Sequence, residues 1–455
     1  MGGIKLDWDV ESEHNQHRQQ HTEDNKAAKK RHRNRFKILF MILFVFIFLG
    51  ACGYLLIQRS SNVDAQLEAR LRETVDAELA SLRIGDLPTY QVLQRSASEV
   101  WVQSRLDEYF YYQELKRTDR IQQIGEVVEL TISGKRGRVL IKQIIENKDI
   151  QTLWFYWHYD DGWYHVPADY DFWGKENTLK SDHLTLNFKD VDQTFASAIV
   201  ETLDPWLTLL CLIRTCDPSF ELIIDVIPTD MNQVGWLDPD SWHLAVPSPL
   251  TDHLIVDQPF TFETRLQMAN LLSERLVNSY PALSLAPAGT DRKFLSNSLK
   301  QWLLSKWLAA PVEQNLFTGL TNQYGDTIIS SLLTQIQADD TIQIIEEISA
   351  TPLPALMIDW TDYLNHLLSQ ENQAILARDE TLWLTYIELF SDDTHAQSYA
   401  RYADGLDLQN LQVINYYQES NDSGDWIIAN LATPAGDYQI EALWHYQNGS
   451  WKRVG

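Results

Sequence analysis

Residues 38–57, reading ILFMILFVFIFLGACGYLLI, hold no charged side chain. Twenty such residues in a helix cover about 30 Å, the thickness of a bilayer's hydrocarbon core. The flanks set a direction. Lys26, Lys29, Lys30, Arg31, Arg33, Arg35 and Lys37 precede the run, whereas Arg59, Arg70 and Arg72 face four acids in the twenty residues after it. The positive-inside rule then keeps the N-terminus in the cytoplasm and sends the remaining chain to the extracytoplasmic side of the cell membrane. The run is too long for a cleaved signal, and no Ala-x-Ala site follows it. Leu49-Gly50-Ala51-Cys52 has the look of a lipobox, which would anchor the chain through a lipidated Cys52 instead. Residues 53–57 stay apolar, however, and favour the uncleaved helix. The lipid bilayer is thus an expected partner through residues 38–57.

Charge is distributed to match. The chain carries a net −26, yet residues 1–37 are net +3 and residues 58–455 are net −29. So acidic an outer part repels nucleic acid, and no nucleic-acid partner is expected. Residues 1–37, rich in His, Gln and charge, lack apolar periodicity and read as a basic disordered tail. Outside a cell, Cys211 and Cys216, five apart, are free to form a disulfide. The alternative is a buried thiol beside an incidental one.

An internal repeat organises the ends of the outer part. Trp157-His158-Tyr159 precedes Trp163 and Val166 across a short Asp/Gly turn; Trp444-His445-Tyr446 precedes Trp451 and Val454 in the same way. Upstream, apolar runs bounded by Gly, Asp and Asn predict strands near 127–132, 138–146, 151–159 and 163–166, and again near 412–419, 425–433, 438–447 and 451–454. Helical spacing precedes each set, at 64–82 and 97–116 and at 374–390. His158 and His445 share a place in the repeat. Trp157, His158, Trp163, Trp444, His445 and Trp451 are therefore candidates to line a pocket in each copy, against the alternative of ordinary aromatic packing.

Helices followed by a four-stranded meander ending in W-x-Y…G…W-x-x-V resemble the SnoaL-like, or nuclear transport factor 2-like, cone. The resemblance implies a bent sheet wrapped around helices over 58–175 and again over 370–455. Between them, 176–369 reads differently. Strands are expected at 183–188, 220–227 and 242–246, with a helix over 192–211. Helices then follow at about 260–279, 294–309, 312–337 and 354–369. This order resembles the gluzincin-type metallopeptidases, in which one helix carries H-E-x-x-H and a later one, W-L-x-E-G-x-A, supplies the third zinc ligand.

The chemistry that resemblance implies is missing from the residues. Two histidines one helical turn apart grip the zinc while the glutamate activates water. Phe262–Val277 holds no histidine, and none occurs between His253 and His366. Trp302-Leu303 matches the second helix, but Ser305 and Lys306 stand where Glu-Gly belongs. No Gly-rich phosphate loop and no G-x-S-x-G elbow is present either. The expectation is an α+β protein: a single transmembrane helix, a cone, a mixed α/β peptidase-like domain with a helical second half, and a second cone. No catalytic residue, metal or cofactor is assigned. Its expected role is binding or scaffolding, toward an unidentified protein or small ligand. The alternatives are a hydrolase with a site of another kind and a transmembrane sensor.

Overall fold

Short-range signals decide where each element starts and stops. The first helix, α1, runs over 63–84 and turns Leu71, Val75, Leu79 and Leu82 inward at three- and four-residue spacing. It stops at Gly85, whose φ of +84° suits glycine, and Asp86 caps the next helix, α2 (Leu87–Val92), by accepting from the Thr89 amide at 3.2 Å. Ser98 caps α3 (Glu99–Arg117) in the same manner. A meander follows: β1 (Ile121–Ser133), β2 (Arg136–Ile145), β3 (Lys148–Tyr159) and β4 (Gly162–Val166), in the order β1-β2-β3 with β4 on the far side of β3. The sheet lies close against α1, since a Cβ at Gly125 would strike Leu79 and one at Gly137 would strike Leu71.

This computed structural model describes residues 63–229, 233–309, 315–388, 411–436 and 439–454, with a few positions inside 41–48. Its contacts divide the chain into two compact units, residues up to 141 with 154–167, and 142–153 with everything from 168 onward. The protein is α+β.

In the second unit the central sheet has the order β5-β6-β7-β9-β8, from Glu176–Lys180, Leu184–Lys189, Leu222–Ile227, His243–Pro247 and Gly235–Trp236. β6, β7 and β9 run parallel; the edge strands run antiparallel. The helix α4 (Gln193–Arg214) links β6 to β7 and buries Phe195, Ile199, Leu203, Trp206, Leu207 and Leu210. The two-residue β10 (Leu254–Ile255) pairs with Ile150 and Gln151 at the tip of β3. A helical half succeeds it: α5 (Phe262–Asn278), α6 (Pro281–Ser284), α7 (Asp291–Leu308), α8 (Leu316–Tyr324), α9 (Thr327–Gln335), α10 (Ile344–Ser349) and α11 (Thr361–Ala377). Then come α12 (Glu380–Trp383) and a sheet of β11 (Ile387–Glu388), β12 (Gln412–Asn421), β13 (Gly424–Ala432), β14 (Gln439–Gln447) and β15 (Ser450–Val454), in the order β11-β15-β14-β13-β12.

Two expected helices are corrected. The 312–337 stretch is broken by Gly325 at φ +81° into α8 and α9. The 374–390 stretch is broken at Arg378, φ +56°, and ends in the strand β11. The expected membrane run lies mostly outside the described residues. Met41, Leu43, Phe44, Phe46, Ile47 and Phe48 are described, and all are helical and exposed. Among the described residues one helix, 190–214, is long and apolar enough to cross a membrane by length and composition, and its inward face covers the central sheet.

Candidate functional site

The strongest concentration of chemistry lies inside the first unit, around a carboxylate that α1 aims at the sheet. Glu78 has no exposed surface. It accepts from Tyr156 Oη at 2.8 Å, His165 Nδ1 at 2.8 Å and Gln94 Nε2 at 2.9 Å. Arg105 reaches it from α3 at 3.4 Å and pairs also with Glu108. Burial alone would raise the Glu78 carboxyl, but His165, Arg105 and the hydrogen bonds outweigh it and hold the group down at about 2. Burial lowers the His165 imidazole, with Arg105 adding to the effect.

The second unit repeats this construction. Glu371 on α11 and Arg453 on β15 form a two-pronged pair, Nε to Oε2 at 2.6 Å, with both side chains nearly sealed from solvent. Eight residues past each buried acid stands the aspartate that caps the following short helix, Asp86 in one copy and Asp379 in the other. Tyr90 and Trp383 are both fully buried four residues later. A parallel bridge then joins Gln94 to His165, and Ile387 to Arg453. The repeat thus extends backward from the meander through the helices, and a carboxylate opposite a basic group on the last strand is part of it.

These ladders correct the expected alignment of the repeat. Tyr156 pairs with His165 and His158 with Trp163; Trp444 pairs with Arg453 and His445 with Lys452. Counted from the hairpin turn, Trp444 therefore matches Tyr156, and His445 matches Trp157. Parity along a strand decides the face, so a one-residue slip exchanges inside for outside. Trp157 points outward at 38% exposure while Trp444 is buried at 1%. His158 is half-buried, edge-on to Trp163 at 5.0 Å. His445 stacks on Trp426 at 4.1 Å and contacts Glu388 at 2.6 Å. Trp163 and Trp451 are packed at 3% and 1% exposure, and Trp163 donates to the Leu67 carbonyl at 3.2 Å. Of the six candidates, Trp451 borders a cavity of about 340 Å³ in the second unit. Cys211 and Cys216 form a disulfide, Cα atoms 4.8 Å apart, at the C-terminal end of α4.

The seam between α5 and α7 is apolar and crossed by an ion pair. α5 buries Met268, Ala269, Leu272, Leu276 and Val277, and α7 buries Leu295, Leu299, Trp302 and Leu303. Lys300 bonds Glu274 across the two helices at 2.9 Å. Lys306 lies 3.4 Å from Asp326, with its ammonium over the Trp302 ring at 5.5 Å. Among the described residues no group of three or more His, Cys, Asp or Glu is placed to hold a metal ion. Sequence reasoning missed Glu78, His165, Arg105, Glu371 and Arg453. An acid at an inward helical position with apolar neighbours three and four residues away was the available signal for Glu78.

No family model matches the chain, and no curated protein does. Among solved structures, a cystatin-like protein from Ruminococcus gnavus ATCC 29149 aligns over 87% of this chain and 90% of its own, at 7% identity and a TM-score of 0.18. A likeness so slight carries no argument about either protein.

Proposed function

We infer that this is a membrane-anchored extracytoplasmic binding or scaffolding protein whose central domain resembles a metallopeptidase without performing its reaction. The observation that carries the reading is the α5–α7 seam, filled by Leu272, Leu276, Leu299, Trp302 and Leu303, all at 0% exposure, and crossed by the Lys300–Glu274 pair. A zinc-activated water needs an open position and anionic or imidazole ligands. A lysine bridging the two helices supplies neither. The Glu78 cluster supports the same reading: it holds an acid, an imidazole and a guanidinium, but Glu78, Tyr156 and His165 are at most 4% exposed, so it organises a core rather than meeting a substrate. The anchor rests on the uncharged run 38–57 and the basic cluster before it.

The test is hydrolysis of a fluorogenic peptide mixture by the purified protein in detergent, with and without added zinc. The expected result is no chelator-sensitive turnover above a Lys300→Ala, Glu274→Ala double variant. Chelator-sensitive turnover by the unmodified protein refutes the reading. Protease shaving of intact cells tests the topology; protection of the region after residue 58 would place it in the cytoplasm and overturn that part.

A further inference from the structure

A cavity of about 340 Å³ lies in the second unit, between the start of α7, the loop before α10, α11, the approach to β11 and the start of β15. Asp291, Asp339 and Asp340 line it against a single cation, Arg292. One arm of the Arg292 guanidinium donates to the Ala282 carbonyl at 2.8 Å. Several hydroxyl protons of the wall are already engaged. Thr290 donates to the Pro287 carbonyl at 2.8 Å, Thr385 to the Leu382 carbonyl at 2.6 Å, and Tyr363 to Asp291 at 3.3 Å. Of the carboxylates, Asp291 accepts from the Ile342 amide at 2.9 Å and lies 3.7 Å from His366 Nε2, and Asp340 accepts from the Gln337 amide at 2.6 Å, which leaves Asp339 the least engaged. Asp339 is exposed and makes no ion pair among the described residues. Trp451 also borders the cavity at 1% exposure, and its indole N–H has no acceptor among the described residues.

A concave, acceptor-lined wall of net negative charge selects a ligand rich in N–H donors and positive charge. The half-buried Tyr386 ring adds a face on which such a cation is stabilised. An anion is repelled by three carboxylates. A carbonyl carried next to the cation would answer the free indole N–H.

We propose that this cavity binds the cationic side chain of an arginine or lysine residue presented by a peptide or protein. The same head group occurs on free alkyl amines, and the experiment separates the two sources. The proposal names a ligand for the binding role inferred above, and it rests on neither the anchor nor the inactive seam.

Full-length protein in detergent micelles is titrated calorimetrically with Nα-acetyl-arginine amide, agmatine, Nα-acetyl-glutamate amide and N-acetylglucosamine. Nα-acetyl-arginine amide is expected to bind below about 1 mM and to weaken as salt is raised. Asp339→Asn is expected to weaken it about fivefold, the effect of one exposed charge pair, and Tyr386→Leu to weaken it further, with melting temperatures unchanged in both. Agmatine binding more weakly than the amide supports a residue-borne source. Agmatine binding equally well supports the cationic assignment with a free amine as the source. Silence from both cations, equal binding of the glutamate or sugar probe, or arginine-amide binding untouched by both substitutions overturns the proposal. Peptide hydrolysis at the α5–α7 seam would leave it standing, so the two readings fail separately.

Discussion

Replacing Glu78 by glutamine tests the buried cluster most directly, because the shape is kept and the charge is lost. A carboxyl held at about 2 in the folded protein, against 4.5 ordinarily, is favoured in its ionised form by about 3 kcal/mol, at about 1.4 kcal/mol per tenfold change in proton affinity. The glutamine approximates the protonated acid, so Glu78→Gln is expected to cost the first unit about 3 kcal/mol at pH 7. That agrees with the roughly 3–5 kcal/mol seen when one member of a buried pair is removed. The sign follows from linkage. The folded Glu78 lies below its unfolded value, so its contribution is complete above about pH 4.5 and is lost as the pH falls toward 2. His165 is lowered from 6.5, so its contribution is complete above about 6.5 and declines as the pH drops through its folded value. Both make the first unit acid-sensitive. Urea titrations of the full-length protein at pH 7 and pH 3, read by near-ultraviolet circular dichroism, measure the difference. Hydrogen exchange on peptides from 63–141 assigns the transition. A loss under about 0.5 kcal/mol at pH 7, or a loss of the same size at pH 3, would refute the reasoning.

Arg453→Leu leaves the Glu371 carboxylate buried without its partner and is expected to lower stability by about 3–5 kcal/mol; the double variant with Glu371→Leu should recover most of it, and a double-mutant cycle reads the coupling. Cys211→Ser opens a short loop worth about 2 kcal/mol on chain-entropy grounds. The same bond predicts that under non-reducing conditions an alkylating reagent adds to neither Cys211 nor Cys216, and mass spectrometry of the tryptic peptides checks it.

Much of the fold is legible in residue patterns, because the meander strands are apolar runs and each turn between them carries Gly or Asn at a positive φ: Gly134, Asn147, Gly162, Gly424, Gly436, Asn448 and Gly449. Short strands were not legible. β8, β10 and β11 are two residues each, too few for a period, and exist because a neighbour offers an edge. The break at Arg378 was hidden as well. The first copy announces its corner with Gly85, whereas the second makes the same corner with a residue that reads as a helix former. The off-by-one in the repeat came from matching Trp-His-Tyr as letters; the hairpin ladder, which fixes facing, is set by the turn. The ion pairs are hard to read because charge on a helix is ordinarily solvated; Glu78 carries a signal in its inward position between Val75 and Leu82, and the burial of both acids follows from the packing around them.

The last copy is stitched to the helical half at several independent points. Glu346 on α10 accepts from both the Leu353 amide and the Tyr446 hydroxyl at 2.7 Å. Tyr416 Oη receives the Trp360 amide at 3.0 Å and donates to the Ile358 carbonyl at 3.1 Å. Asn365 takes the Val413 amide at 2.9 Å. Residues 411–454 therefore act as a keystone rather than a detachable bead. A chain stopped at 369 would strip partners from α10, from α11 and from the segment before α11 at once, and heating the intact protein should give two calorimetric transitions where the three-part layout of its sequence would suggest three.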